Sequence, residues 1–118
     1  MKSSTPIIYI AGPISGMAGE NKEAFYNAAR ALKNQGYIVR NPHEFCHDIP
    51  LESDRNIYMR RCLTQIAECS EIIMLPGWTH SIGAVLELKI AESLGMKVHF
   101  GMSNFEEIIS ADKEGRIA

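Results

Sequence analysis

The alternation of short apolar runs with helical patterns constrains the fold of this chain more than any other feature. The runs are rich in β-branched residues, and several are closed by Gly, Pro or Asn, as strands often are. The segments between them repeat apolar residues every three or four positions, which is typical of amphipathic helices. This order predicts an α/β fold with a parallel sheet and helices on both faces. The predicted strands are 7–11, 37–39, 71–75 and 97–100, and the predicted helices are 21–35, 56–69, 83–95 and a short one over 104–109.

Composition and charge fit one globular domain and argue against several function classes. The 118 residues fit a single domain over 1–118, and 46% of them are hydrophobic. A net charge of −2 without a polybasic cluster argues against a duplex nucleic-acid partner. No apolar run approaches the roughly 20 residues of a membrane span, so we expect no membrane partner. Three cysteines without an export signal predict reduced thiols and a cytoplasmic location.

Three predicted loops, 12–19, 41–54 and 77–83, follow strands and should meet at the carboxyl edge of the sheet, where α/β proteins bind ligands. The first loop contains Ser15 and several glycines, which let backbone amides approach an anion closely. It is neither a Walker loop nor a Gly-x-Gly-x-x-Gly loop, and a plain glycine turn explains the same residues. Phosphate or ribose binding and a plain turn therefore both remain open.

Glu87 is the residue that most strongly suggests a function. It falls on the apolar stripe of the predicted helix 83–95, between Ala91 and Leu94. A carboxylate in that place is costly unless it has partners or a chemical role. The alternative is that Glu87 only interacts with the helix dipole or caps the N-terminus.

The loop before this helix contributes three further candidates. Ser81 and Gly83 lie at a helix N-terminus that suits an anion, although Ser81 is equally well explained as a plain N-cap. Trp78 either stacks on a base or sugar or closes the loop against the core.

The histidines give a weaker signal. His43 and His47 flank Cys46, but no second pair of ligands accompanies them, so we expect no metal and no cofactor. His80 and His99 are interpreted as ordinary surface or strand residues.

Two motifs resemble a known family. Tyr9–Pro13 is similar to the opening signature of the nucleoside 2-deoxyribosyltransferase family, and Ser81–Glu87 is similar to its Ser/Asp-x-Gly-x-x-x-Glu signature. The Ser form resembles the branch that hydrolyses deoxynucleoside 5′-monophosphates. With Tyr58–Arg60 and Leu75–Trp78, the pattern is similar to small phage and prophage proteins of that superfamily.

The resemblance implies a flavodoxin-like (Rossmann-like) three-layer sandwich with a parallel sheet of four to five strands. It also implies cleavage or transfer at the N-glycosidic bond of a deoxyribonucleoside or its 5′-monophosphate. Glu87 matches the family nucleophile, Tyr9 would contact the sugar or Glu87, and Ser15 and Ser81 would hold a phosphate. The residues that would bind the substrate are Gly12, Pro13, Ser15, Gly16, Asn41, Tyr58, Cys62, Trp78, Ser81, Gly83, Ser103 and Asn104.

The family also implies a homo-oligomer, a dimer or tetramer, in which a neighbour's segment around 102–104 closes the pocket. One position departs from the family pattern, because Cys62 stands where the family has an Asp that assists the leaving base. A thiol is a poor substitute for a carboxylic acid, so we expect Asp54 or Glu52 to supply the missing group. The alternative is a nucleotide-binding protein, a sensor or sequestering module, with weak catalysis.

Overall fold

The computed structural model describes residues 5–50 and 52–101 and the backbone of 108–110. The strands are β1 Ile7–Ala11, β2 Ile38–Arg40, β3 Glu71–Met74, β4 Lys97–Gly101 and β5 Ile108–Ser110. The helices are α1 Lys22–Asn34, α2 Pro42–Phe45, α3 Arg55–Ile66 and α4 Ile82–Ser93, with short 3-10 turns at Ala18–Asn21 and Trp78–His80. Within the described residues, no helix is long and apolar enough to cross a membrane.

The strands form one sheet in the order β2-β1-β3-β4-β5. The first four strands are parallel, and β5 pairs with β4 in the antiparallel direction. The chain is therefore an α/β protein of the flavodoxin-like type, in which strand order reverses beside β1. The carboxyl ends of β1 and β3 lie next to each other at this switch point.

The sheet has a helical layer on each face because β1 is apolar on both of its sides. Ile8 and Ile10 point toward α1 and pack in a core with Phe25 and Leu32. Tyr9 belongs to the opposite core, together with residues of α3 and α4. Both faces of a parallel sheet must be covered, and this alternation along β1 divides the interior into two cores.

Most of the predicted elements are confirmed, with shifts at their ends. The strand predicted over 7–11 is found there, whereas β2 lies one residue later than expected. The loop predicted over 41–54 contains the short helix α2, which begins after Asn41 because the Asn41 side chain accepts a hydrogen bond from the His43 amide at 3.0 Å. The predicted short helix over 104–109 is wrong at 108–109, which belong to β5, and 104–107 lie outside the described residues.

The approach of β1 to β3 is closest at Gly12, where β1 ends. The Leu75 amide donates to the Ala11 carbonyl at 2.8 Å, and a Cβ added to Gly12 would lie 2.9 Å from Leu75 Cβ. Because the Leu75 Cβ is fixed to the backbone, that contact cannot be relieved by a side-chain rotation. The strand therefore needs glycine at the start of the first loop.

We expect Gly12→Ala to lower the free energy of unfolding by about 1–3 kcal/mol, because the added methyl group overpacks the β1–β3 junction. Urea denaturation measures the change. Gly83→Ala is the matched control, since a Cβ there would meet only the flexible ends of Arg55 and Met59, at 3.4 and 3.7 Å. Equal stability of the two variants would contradict the proposed crowding at Gly12.

Candidate functional site

A cavity of about 1050 Å³ opens at the carboxyl edge of the sheet, over the switch point. The loop after β1, the segment that contains α2 and the first turns of α3 and α4 surround it. Most open α/β proteins bind ligands at this position, so the cavity is the candidate functional site. Its polar lining residues are Ser15, Glu20, Lys22, His43, His47, Ser53, Arg55, Tyr58, His80, Ser81 and Glu87, with Cys46 and Cys62.

Glu87 lies at the inner end of this cavity, on the face of α4 that packs against the sheet. It is only 6% exposed, and the hydroxyl of the fully buried Tyr9 donates a hydrogen bond to Glu87 Oε2 at 2.7 Å. The apolar neighbours of α4 force this burial, since Ala84 and Ala91 lie on the same face. The sequence-based prediction of a buried carboxylate is confirmed.

Burial raises the pKa of Glu87 from 4.5 to about 7. Hydrogen bonds from Tyr9 and Cys62 act in the opposite direction, because they stabilise the carboxylate form. The side chain is therefore balanced between its neutral and ionised forms near neutral pH. A carboxyl group with such a pKa, inside a cavity, is a frequent property of functional sites.

Two thiols flank Glu87. Cys62 on α3 contacts Tyr9, Glu87 and Cys46, and burial raises the pKa of both thiols. Both cysteines are therefore protonated at neutral pH, and Cys62 acts as a hydrogen-bond donor to Glu87. Neither has the lowered pKa of a reactive cysteine.

The N-terminus of α4 forms the second polar part of the cavity. The Ser81 Oγ accepts a hydrogen bond from the Ala84 amide at 3.1 Å, so it is the N-cap of this helix. An Arg55 guanidinium nitrogen lies 3.4 Å from the position of a Cβ on Gly83. Among the described residues, Arg55 forms no salt bridge. A helix N-terminus and an unpaired guanidinium together favour an anion at this point.

The predicted site residues separate into those at the cavity and those elsewhere. The predicted residues that line the cavity are Gly12, Pro13, Ser15, Tyr58, Cys62, Ser81, Gly83 and Glu87. Tyr9 reaches the cavity only through its bond to Glu87. Within the described part of the chain, the predicted residues that do not line it are Gly16, Asn41, Glu52, Asp54 and Trp78. Ser103 and Asn104 lie outside the described residues.

Three of the residues that do not line the cavity have local surroundings of their own. Trp78 packs against Phe100 with ring centroids 5.9 Å apart, which fits the interpretation that it closes the loop against the core. Asn41 is buried and caps α2, and its side-chain nitrogen has no partner among the described residues. Asp54 is exposed at the start of α3, without a side-chain capping bond.

The described residues include no group of three His, Cys, Asp or Glu side chains that could hold a metal ion. His43 and His47 instead bond to backbone carbonyls, of Glu20 and Glu44 respectively. His99 lies away from the cavity and pairs with Glu71 at 2.6 Å. It is buried in β4, which agrees with its interpretation as a strand residue.

The sequence analysis missed three charged residues that line the cavity, namely Glu20, Lys22 and Arg55. Arg55 follows the predicted loop directly, so its place at the sheet's carboxyl edge could have been inferred. Glu20 and Lys22 follow the glycine loop, but their positions depend on an unusual turn. Gly19, Glu20 and Asn21 have φ values of 58°, 57° and 60°. Gly and Asn often adopt such values, but a Glu between them rarely does, so the sequence did not predict this turn.

The fold and the cavity define a flavodoxin-like α/β protein with a buried carboxyl group at its switch point. The chain belongs to the DUF4406 family, described as a domain of unknown function, whose pattern matches residues 6–100. No curated protein matches the chain. The family assignment therefore covers the whole cavity but carries no activity.

We expect the burial of Glu87 to make the free energy of unfolding depend on pH. The folded pKa lies above the unfolded value of 4.5, so protonation favours the folded state. The stabilisation is complete below pH 4.5 and is lost as pH rises through about 7. As pH rises, the free energy of unfolding of the wild type should fall by on the order of 3 kcal/mol more than that of Glu87→Gln, because glutamine cannot ionise.

Urea denaturation of the wild type and of Glu87→Gln at about pH 5 and about pH 8 measures this difference. Glu92→Gln is the control, because Glu92 is exposed on the same helix. If the free energy of unfolding changes between the two pH values by the same amount in the wild type, in Glu87→Gln and in Glu92→Gln, Glu87 does not titrate as a buried group.

Proposed function

We propose that this protein cleaves the N-glycosidic bond of a deoxyribonucleoside or its 5′-monophosphate, by hydrolysis or by transfer to another base, with Glu87 as the nucleophile. The observation that carries the proposal is the buried Glu87, held by the Tyr9 hydroxyl at 2.7 Å inside a large cavity. The two motifs that resemble the nucleoside 2-deoxyribosyltransferase superfamily support it, since both contribute residues to this cavity. A cytoplasmic location is part of the proposal, because the chain has three free cysteines.

The first chemical step requires an ionised Glu87. One carboxylate oxygen forms a bond to the anomeric carbon, and the electron pair of the carbon–nitrogen bond leaves with the base nitrogen. Water or a protonated second base then attacks the same carbon, its proton passes to the departed base nitrogen, and Glu87 is released as a carboxylate. Tyr9 holds the other oxygen and orients the group, and burial keeps the carboxylate poorly solvated and therefore reactive.

A 5′-phosphate would bind at the N-terminus of α4. Ser81, Gly83 and Arg55 lie there, and Ser15 approaches from the loop after β1. This arrangement supports a monophosphate rather than a free nucleoside, because an unpaired guanidinium next to a helix N-terminus is best satisfied by an anion. The anchored phosphate would hold the sugar near Glu87.

The second candidate is a nucleotide-binding protein that turns substrate over slowly. Cys62 favours it, because burial raises the pKa of this thiol and makes it a weak acid beside the nucleophile. Asp54, which we predicted as a replacement acid, is not among the described residues that line the cavity. Base release separates the two candidates, because only the enzyme produces free base.

A homo-oligomer is also part of the proposal. The outer side of α4 carries exposed Ile82 and Leu86, at 77% and 40%, and Leu94 at its end is 55% exposed. Ile82 and Leu86 are four residues apart and form a short stripe along one side of the helix, whereas Leu94 lies about 120° around the helix axis from Ile82. A stripe of this kind supports association with a second copy, because contiguous exposed apolar surface favours burial. Ile82 also lines the cavity, so a neighbour would lie at its rim.

We expect the wild-type protein to release free base from at least one deoxynucleoside 5′-monophosphate and Glu87→Gln to release none. Removal of a covalent nucleophile leaves no path for the first step. Chromatography of the products detects the base. Because the reaction needs the ionised form, kcat/KM should rise with pH through about 7.

Glu92→Gln is the control for this experiment, since it makes the same chemical change on the exposed side of α4. Base release by Glu87→Gln at the wild-type rate would eliminate the covalent mechanism. Absence of base release from every substrate, together with nucleotide binding, would favour the second candidate.

We expect a deoxynucleoside 5′-monophosphate to bind more tightly than its nucleoside, and Arg55→Gln to remove most of the difference. Hydrogen bonds to charged groups contribute about 1.5–3 kcal/mol, so the loss should be about tenfold or more. Calorimetry with both ligands measures it. Arg60→Gln is the control, because Arg60 is exposed on the same helix and does not line the cavity. Equal affinities for nucleotide and nucleoside would indicate a site without phosphate recognition.

A further inference from the structure

Glu20 is the second glutamate at the cavity and has no part in the proposed reaction so far. Among the described residues, the carboxylates that line the cavity belong to Glu20 and Glu87. Burial, Tyr9 and Cys62 account for the pKa of Glu87, with no contribution from Glu20. The interactions that set the pKa of Glu87 therefore leave Glu20 without a role in the bond-cleavage step.

The backbone around Glu20 is held in a rare conformation. Glu20 and Asn21 both have left-handed φ values, which are uncommon for residues with a side chain. The Asn21 side chain donates to the Pro13 carbonyl at 2.9 Å, and a His43 ring nitrogen lies 2.9 Å from the Glu20 carbonyl. Strained residues held in this way cluster at ligand-binding sites, because the surrounding structure fixes one orientation.

The charge of Glu20 acts on neighbours that themselves line the cavity. Partial burial raises the pKa of Tyr58, and the Glu20 carboxylate raises it further. Lys22 also interacts with Glu20, because its Nζ lies 3.9 Å from Glu20 Oε1. Both side chains of this pair are partly exposed, at 44% for Glu20 and 62% for Lys22. An exposed pair contributes little to stability, so a ligand can displace it at low cost.

The cavity therefore presents a carboxylate acceptor and an ammonium donor side by side. Nucleobases with an exocyclic amine carry an N–H donor next to a ring or carbonyl acceptor, which is the complementary pattern. Thymine offers the same pattern at its ring N–H and the adjacent carbonyl. Apart from Glu87, Ser81 and the two thiols do not offer a charged acceptor. The Ser81 hydroxyl caps a helix, and the thiols are protonated and act as donors.

We propose that Glu20 and Lys22 form the base-recognition end of the cavity, with Glu20 accepting a hydrogen bond from an exocyclic amine or ring N–H of the base and Lys22 donating to the adjacent acceptor. This inference rests on the proposed function, since it assumes that a nucleotide occupies the cavity. It assigns Glu20 to substrate selection rather than to bond cleavage. The protein should consequently bind a nucleotide more tightly than the same sugar phosphate without its base.

The test is calorimetry with the four deoxynucleoside 5′-monophosphates and with deoxyribose 5-phosphate, in a Glu87→Gln background that prevents turnover. Glu20→Gln keeps the size of the side chain and removes its charge. We expect all four nucleotides to bind about tenfold more weakly, since a charged hydrogen bond becomes a neutral one. Deoxyribose 5-phosphate should bind unchanged.

Glu23→Gln is the matched control, because Glu23 is exposed three residues further along and does not line the cavity. Equal weakening of deoxyribose 5-phosphate would overturn the assignment, since Glu20 would then only support the loop. Unchanged binding of all four nucleotides would overturn it as well, and would leave the proposed function intact. If no nucleotide binds before Glu20 is changed and the wild type releases no base, the proposed function fails and this inference fails with it.

Discussion

The burial of the Glu87 carboxyl group is the constraint on which the rest of the site depends. An ionised carboxylate is costly in an apolar interior, so its surroundings must supply hydrogen bonds or keep it protonated. Tyr9 and Cys62 supply those bonds, from β1 and α3, while burial raises the pKa to about 7. The opposed effects leave Glu87 able to gain or lose its proton near neutral pH, and such a group is useful only where a ligand can reach it.

The sheet topology provides that access. The chain moves to the opposite face after β2, so α1 covers one side of β1 and α3 and α4 cover the other. The loops after β1 and β3 consequently diverge and leave the cavity between them. Tyr9 lies on β1 and Glu87 lies on α4, and the switch point brings these residues together although they are 78 positions apart.

The charges at the cavity are divided in a way that fits an elongated ligand with distinct ends. Arg55 and the N-terminus of α4 form an electropositive region, and Glu20 and Lys22 form a mixed pair. Cys62 is a protonated thiol beside the carboxyl group, where it donates a hydrogen bond and brings no charge of its own. Under the proposed function, this division assigns the phosphate, sugar and base of one nucleotide to different elements of the fold.

The sequence alone determined the elements whose signal is local. The β-branched run of β1 and the apolar periodicity of α1 predicted both elements to within a residue at each end, because both faces of β1 and one face of α1 are buried. The position of Glu87 on the apolar stripe predicted its burial for the same reason. The tertiary structure decided the features that depend on distant partners: β5, which exists by pairing with β4, and the left-handed turn at Glu20, which His43 and Asn21 hold. It also decided that Glu20 rather than Asp54 lines the cavity, because only the packed loops determine which carboxylate faces inward.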